Sequence, residues 1–293
     1  MKAKEIQQIL LPPPPHMVGD GFRVHNFFPS GYSMAPNRMS PFYLLDYNAK
    51  MEFSPRKDPR GVGVHPHRGF ETVTLVYQGK VAHHDSCGHS GVIGAGDIQW
   101  MTAGTGVLHK EYHEKKFSRQ GGTFHIVQLW INLPAKDKMS PPHYQSISHA
   151  RIPVYSLPEG QGQVEVIAGE FKGVKGIART FTPIEMYNFR LRSGASLVFS
   201  LPENYNTGLL VLEGEVKVNG EERAETDRFV LFRNIGEEIA LEAQEDCLLL
   251  LLSGEPIQEP IMAYGPFLMN TKEEIVQAYE DWSSGKFGYL EEE

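Results

Sequence analysis

One heptapeptide recurs at a fixed distance, and it constrains the fold more than any other feature of the chain. Leu75-Val76-Tyr77-Gln78-Gly79-Lys80-Val81 matches Leu210-Val211-Leu212-Glu213-Gly214-Glu215-Val216 at a constant offset of 135. Each copy is an apolar run of strand length, a glycine that supplies a turn, and the start of a second run. Asp97, followed by an apolar run, has a weaker counterpart in Asp227, at an offset of 130. A strand–turn–strand unit present in both halves predicts two related β-domains in tandem. The 29 glycines and 20 prolines, many of them between short apolar runs, agree with an all-β chain rich in turns.

The pattern places strands at about 69–78, 91–101, 123–132, 164–168, 185–191, 208–218, 228–232 and 246–252, with a proline-spotted connection over 133–144. Asn219-Gly220 after an alternating run is a hairpin signal. Near the carboxyl end the pattern changes. Thr271 followed by Glu274 is a capping box, and Ile275, Val276, Tyr279 and Trp282 share a helical face, predicting a closing helix over 271–282 with a frayed acidic tail. The expected division is a metal-binding domain over 1–140, a related domain without ligands over 141–265, and a terminal helix and tail over 266–293.

Composition narrows the function classes. A formal net charge of −8 with no offsetting basic run opposes direct nucleic-acid binding. Cys87 and Cys247 stand far apart, so a disulfide framework is not expected and a reducing compartment fits. The apolar patch Ile9-Leu10-Leu11 before Pro12–Pro15 is too short for a signal peptide, and no run has the length to cross a bilayer. A cytoplasmic protein without membrane association is the expectation.

Two short strings carry the chemistry, His65-Pro66-His67 and His109-Lys110-Glu111. In an extended strand, side chains two apart point to one face. Each string therefore aims two ligand-type groups into one space, and three imidazoles with a carboxylate form the donor set of a borderline transition-metal site. At the offset of 135, His65 and His67 fall on Ser200 and Pro202. At 130, His109 and Glu111 fall on Ile239 and Leu241. None of these can replace the ligand it aligns with, so chemistry is expected in the front half alone.

Other polar residues are weighed against their ordinary roles. His83, His84, Cys87 and His89 match no closed zinc template, and Asp85-Ser86-Cys87-Gly88-His89 reads as a turn. His113 and His125 lack partners at period two and read as structural, and Trp100 and Trp130 as core. Gln128 is the one polar member of the face Phe124, Ile126, Gln128, Trp130. If that face points inward, its amide needs a partner, which the metal site would supply.

The ordered set of strings resembles the pirin family of the cupin superfamily. Superfamily motifs are Gly61, His65-Pro66-His67, Glu71 and Gly79, then Gly96-Asp97, Gly104, Gly106 and His109. More discriminating are His65-Pro66-His67-Arg68-Gly69-Phe70-Glu71-Thr72-Val73, Gly96-Asp97-Ile98-Gln99-Trp100-Met101-Thr102-Ala103-Gly104, Gln128-Leu129-Trp130 and Gly265-Pro266-Phe267-Leu268-Met269-Asn270-Thr271. The resemblance implies two tandem cupin (double-stranded β-helix, jelly-roll) barrels and a C-terminal α-helix. It also implies a metal on His65, His67, His109 and Glu111, with Glu111 preferred over Glu71 as the carboxylate, and Glu71 is placed near the barrel mouth. Iron is the first candidate; nickel, copper, manganese and zinc also suit the donors. The activity implied is quercetin 2,3-dioxygenase, opening of a flavonol ring by dioxygen, with Glu111 at the metal accepting the substrate's hydroxyl proton. The alternative implied is a metal- or redox-dependent transcriptional co-regulator that binds a protein partner without turnover. A metal-free small-molecule binder would explain the scaffold but not the four ligand-type residues.

Overall fold

Short apolar runs punctuated by glycine, proline and aspartate fold this chain back on itself as antiparallel ladders. The computed structural model describes residues 2–32, 34–220 and 222–292. Two compact units emerge. In the front unit a four-stranded sheet runs in the order Gly61–His67, Val107–His113, Val81–Asp85, Ser90–Ile93. Its seven-stranded companion runs His143–Ile147, Ile98–Thr102, Phe70–Gln78, Gly122–Asn132, Phe42–Phe53, Phe22–Phe28, His16–Val18. The back unit repeats this plan. Its small sheet is Ser196–Ser200, Glu238–Ala243, Glu215–Val218, Glu222–Glu225. Its large sheet is Ile6–Leu10, Phe229–Phe232, Asn206–Glu213, Cys247–Gly254, Ile184–Leu191, Gly162–Ala168, Val154–Ser156.

The repeated heptapeptide occupies the same place in both units, and its glycine explains the repeat. Gly79 and Gly214 have φ of +88° and +84°. A Cβ at Gly79 would meet the Phe124 ring at 2.5 Å, and one at Gly214 the carbonyl oxygen of Asp246 at 2.5 Å. No other residue turns the chain there without strain. This turn also splits the run expected at 208–218 into two strands. The run expected at 91–101 splits likewise, at Gly94–Asp97, where the Asp97 carboxylate accepts the Gly94 amide hydrogen at 2.9 Å. The Asn219-Gly220 hairpin forms, with both residues at positive φ (53° and 79°).

Within each unit the inner faces of the two sheets share a core. The back unit's is apolar across its small sheet, with Leu197, Phe199, Val216, Val218, Ile239 and Leu241 all in the core. The front unit's is apolar at one end, around Val76, Val81, Ile93, Phe124 and Ile126, and polar at the other. The chain ends are exchanged between units, unlike the contiguous divisions expected at 140 and 265. Residues 1–12 belong with the back unit because Ile6–Leu10 pairs with Phe229–Phe232, and residues 257–293 belong with the front unit.

The terminal helix spans Lys272–Ser283 and carries the expected capping box, with Thr271 accepting from the Glu274 amide. The buried face differs from the expected one. Ile275, Ala278 and Asp281 are buried, whereas Val276 and Trp282 are 49% and 40% exposed. The helix is turned by the ion pair of Asp281 with the buried Arg68 guanidinium at 2.9 Å, which draws a polar position inward. A second, six-residue helix, Lys115–Gln120, was not expected; Glu114 caps it through the Lys116 and Phe117 amides. Among the described residues no helix is long and apolar enough to cross a membrane.

Glu71 lies on the opposite face of the large sheet from Thr74, three residues on. It is 1% exposed and accepts the Thr102 hydroxyl hydrogen at 2.7 Å. Burial pushes its carboxyl from the ordinary 4.5 up to about 7, and the Thr102 hydrogen bond only partly opposes this. A carboxyl raised on folding contributes stability below pH 4.5 that is lost as pH climbs through 7. Glu71→Gln should therefore match the parent at pH 5 and exceed it by roughly 2 kcal/mol at pH 8.5 in urea unfolding. Thr271→Ala, by removing the helix cap, should cost about 1 kcal/mol at either pH in the same assay.

Candidate metal centre

Strand register assembles the polar end of the front unit. Gly61–His67 and Val107–His113 pair antiparallel with His65 opposite His109, and Val107–His113 pairs on its other side with Val81–Asp85, placing Glu111 opposite His83. A β-irregularity between His109 and Glu111 shifts the first of these pairings, so that Glu111 lies opposite Val62. The ring centroids of His65 and His109 are 4.2 Å apart, of His67 and His109 4.7 Å, and of His65 and His67 4.8 Å. One donor atom from each of these three histidines lies within 4.8 Å of the other two.

The three imidazoles are prepared as ligands. His65 and His67 donate from Nδ1 to the carbonyl oxygens of Gly63 (2.8 Å) and Pro266 (3.2 Å), which leaves the Nε2 lone pair free in each. His109 is fully buried, and neither ring nitrogen has a hydrogen-bond partner among the described residues. A buried imidazole with both nitrogens unpartnered is costly unless something else binds it. Burial, then repulsion from the neighbouring imidazoles, holds His67 and His109 well below the usual histidine range. Both are therefore neutral at pH 7, the form that binds a metal.

Glu111 stands on the other side of His109. It is 4% exposed, and its carboxylate accepts hydrogen bonds from Gln128 Nε2 at 2.6 Å, Thr74 Oγ1 at 3.2 Å and Gln99 Nε2 at 3.3 Å. The four expected ligands do not form one group within 4.8 Å. They divide into His65, His67, His109 and a second triad, His83, His109, Glu111, hinged on His109. The donor set of imidazoles and a carboxylate fits a divalent transition metal.

The Gln128 amide finds its partner in the Glu111 carboxylate. Gln99 performs the same office and was missed, although it too is a polar residue between apolar neighbours, Ile98 and Trp100-Met101. His83 was also misplaced. The turn reading holds for Asp85, which accepts from the Cys87 and His89 amides and from His89 Nδ1, but the His83 ring points back to His109 at 5.4 Å. His125 and His113 sit in the core as expected, bonded to Tyr47 and to the Gly21 carbonyl.

The back unit serves as an internal control, and its register corrects the alignment drawn from sequence. Phe199 lies opposite Ile239 as His65 lies opposite His109, and Leu201 bonds to Glu237 one step on. The counterparts of His65 and His67 are therefore Phe199 and Leu201, one residue short of Ser200 and Pro202, because the back unit has one more residue before its next strand. All are buried and apolar.

To one side of the donors lies an aromatic wall. Trp130 packs on His67 at 5.1 Å between centroids and on Phe70 at 4.2 Å, and Tyr43 stacks on Trp130 at 6.3 Å.

Both the sequence and the fold have counterparts among known proteins. Residues 21–131 match the family described as Pirin, and residues 186–288 the Pirin C-terminal cupin domain. A Pseudomonas aeruginosa protein named "Putative quercetin 2,3-dioxygenase" is 48% identical over 272 residues, covering 93% of this chain and 94% of the relative. A tomato (Solanum lycopersicum) pirin-like protein is 40% identical, over 86% of this chain and 83% of its own. The crystal structure of a quercetin 2,3-dioxygenase from Acinetobacter baumannii superposes with a TM-score of 0.93 at 46% identity, covering 99% of this chain and all of that one. The two repeated units are cupin-type domains, and the chain belongs to the pirin family.

Proposed function

We propose that this chain is a metal-dependent dioxygenase acting on a flavonol-like substrate, with quercetin 2,3-dioxygenase activity. The observation that carries the reading is the convergence of three imidazoles beside a buried, triply hydrogen-bonded carboxylate, in one of two otherwise matching units. In this reading His65, His67, His109 and Glu111 hold one divalent ion, with iron the first candidate. The ion supplies Lewis acidity toward a ring hydroxyl and electronic coupling between the substrate and dioxygen.

The protein's own groups do the rest. Glu111 accepts the proton of the substrate hydroxyl, and Gln128, Gln99 and Thr74 hold its carboxylate in place for that transfer. Trp130 and Phe70 offer a flat apolar flank to an aromatic substrate next to His67. The names of the relatives from Pseudomonas and Acinetobacter support the substrate class.

Purified protein loaded in turn with iron, manganese, nickel and copper should consume oxygen and bleach flavonol absorbance with at least one of them, and His109→Ala should abolish both. Absence of turnover with all four would overturn the reading. Gln128→Leu takes the 2.6 Å hydrogen bond from Glu111. A lost bond to a charged group corresponds to a ~10-fold fall in kcat/KM, which steady-state oxygen uptake would register.

A further inference from the structure

We infer that His83 is a fifth working residue of this site, the side chain that contacts the oxygen ligand, water or substrate hydroxyl, bound between it, His109 and Glu111. The inference rests on the dioxygenase reading above and extends it.

Four observations converge on His83. Its side chain is 0% exposed, and Nδ1 has no hydrogen-bond partner among the described residues. A buried polar atom in that state requires a partner that binds there. One of its ring nitrogens lies within 4.8 Å of donor atoms of both His109 and Glu111, so a single oxygen atom between them is within reach of all three. The ring is also held in place: Nε2 faces the Asp85 carboxylate at 3.5 Å, and the ring stacks on Tyr144 with centroids 5.3 Å apart. Asp85 is itself clamped by two backbone amides and His89. A carboxylate behind one nitrogen fixes the ring and leaves the other free for a ligand.

The fourth observation comes from the back unit. His83 pairs with Glu111, and the equivalent cross-strand pair there is Val218 with Leu241. Both are buried and apolar. The position of His83 thus changes together with those of His65, His67, His109 and Glu111, which become Phe199, Leu201, Ile239 and Leu241.

Contact with an oxygen ligand suits His83 better than metal ligation. Four imidazoles and a carboxylate on one ion would leave a single open position of six, whereas a substrate oxygen and dioxygen together need two.

The test uses the full-length protein loaded with cobalt(II) under argon and titrated with catechol as the oxygen-donor probe, read by the cobalt absorption bands. His83→Ala should bind one equivalent of cobalt like the parent but hold catechol ~10-fold more weakly. His83→Gln, which keeps a hydrogen-bonding group, should recover most of that affinity. Asp85→Asn, acting through the orientation of the ring, should weaken the probe about threefold. Should His83→Ala fail to fold, His83→Phe keeps the packing on Tyr144 without the nitrogens and takes its place. Equal catechol binding in the parent and the His83 variants would overturn the inference, as would no band shift in the parent. Loss of cobalt from His83→Ala as complete as from His109→Ala would also overturn it, making His83 a metal ligand. If the parent binds catechol but takes up no oxygen with any metal, the dioxygenase reading falls while the contact made by His83 stands or falls on the titration alone.

Discussion

The site depends on one constraint, the antiparallel register of three neighbouring strands. Side chains directly opposite on adjacent strands stand about 5 Å apart on the same face. Pairing His65 with His109 on one side of the central strand and His83 with Glu111 on the other therefore makes a cluster without any loop having to be ordered. A slip of one residue would turn every donor to the other face. The register is held by the apolar end of the same unit, where Val81 and Ile93 pack against Val76, Phe124 and Ile126. Hydrophobic burial at one end of the barrel sets the geometry of the polar chemistry at the other.

The polar end then has to be kept from collapsing onto itself. Carbonyl oxygens of Gly63 and Pro266 take the Nδ1 hydrogens of two histidines, and three donors hold Glu111 away from direct contact with the imidazoles. The Pro266 contact gives the carboxyl-terminal segment a part in the site, since that segment belongs to the front unit and is secured there by the Arg68–Asp281 pair. The back unit shows the same scaffold without these groups: Phe199, Leu201, Ile239 and Leu241 stand at their positions, buried and apolar.

Much of this was legible from the residues. The heptapeptide repeat gave the tandem β-domains, and the period-two strings named His65, His67, His109 and Glu111 because strand parity alone decides which side chains share a face. Gln128 stood out as a lone polar residue on an apolar face. What remained hidden was information carried by pairing between strands far apart in sequence. His83 sits in a string rich in turn residues, and local pattern assigned it to the turn. The offset of 135 would have placed it on Val218 and grouped it with the candidate donors. The helix face was misjudged for a related reason, since the partner that turns Asp281 inward, Arg68, is remote in sequence. The exchange of chain ends likewise comes from the pairing of Ile6–Leu10 with Phe229–Phe232, which periodicity cannot reveal.

The central claim, that the front unit's cross-strand donors converge on one cation, is tested most directly by anomalous diffraction from crystals soaked in a divalent transition metal. The account predicts one strong peak per chain, about 2.0–2.3 Å from ring nitrogens of His65, His67 and His109 and from a carboxylate oxygen of Glu111. A front unit without a peak, or a peak bound elsewhere on the chain, would contradict it.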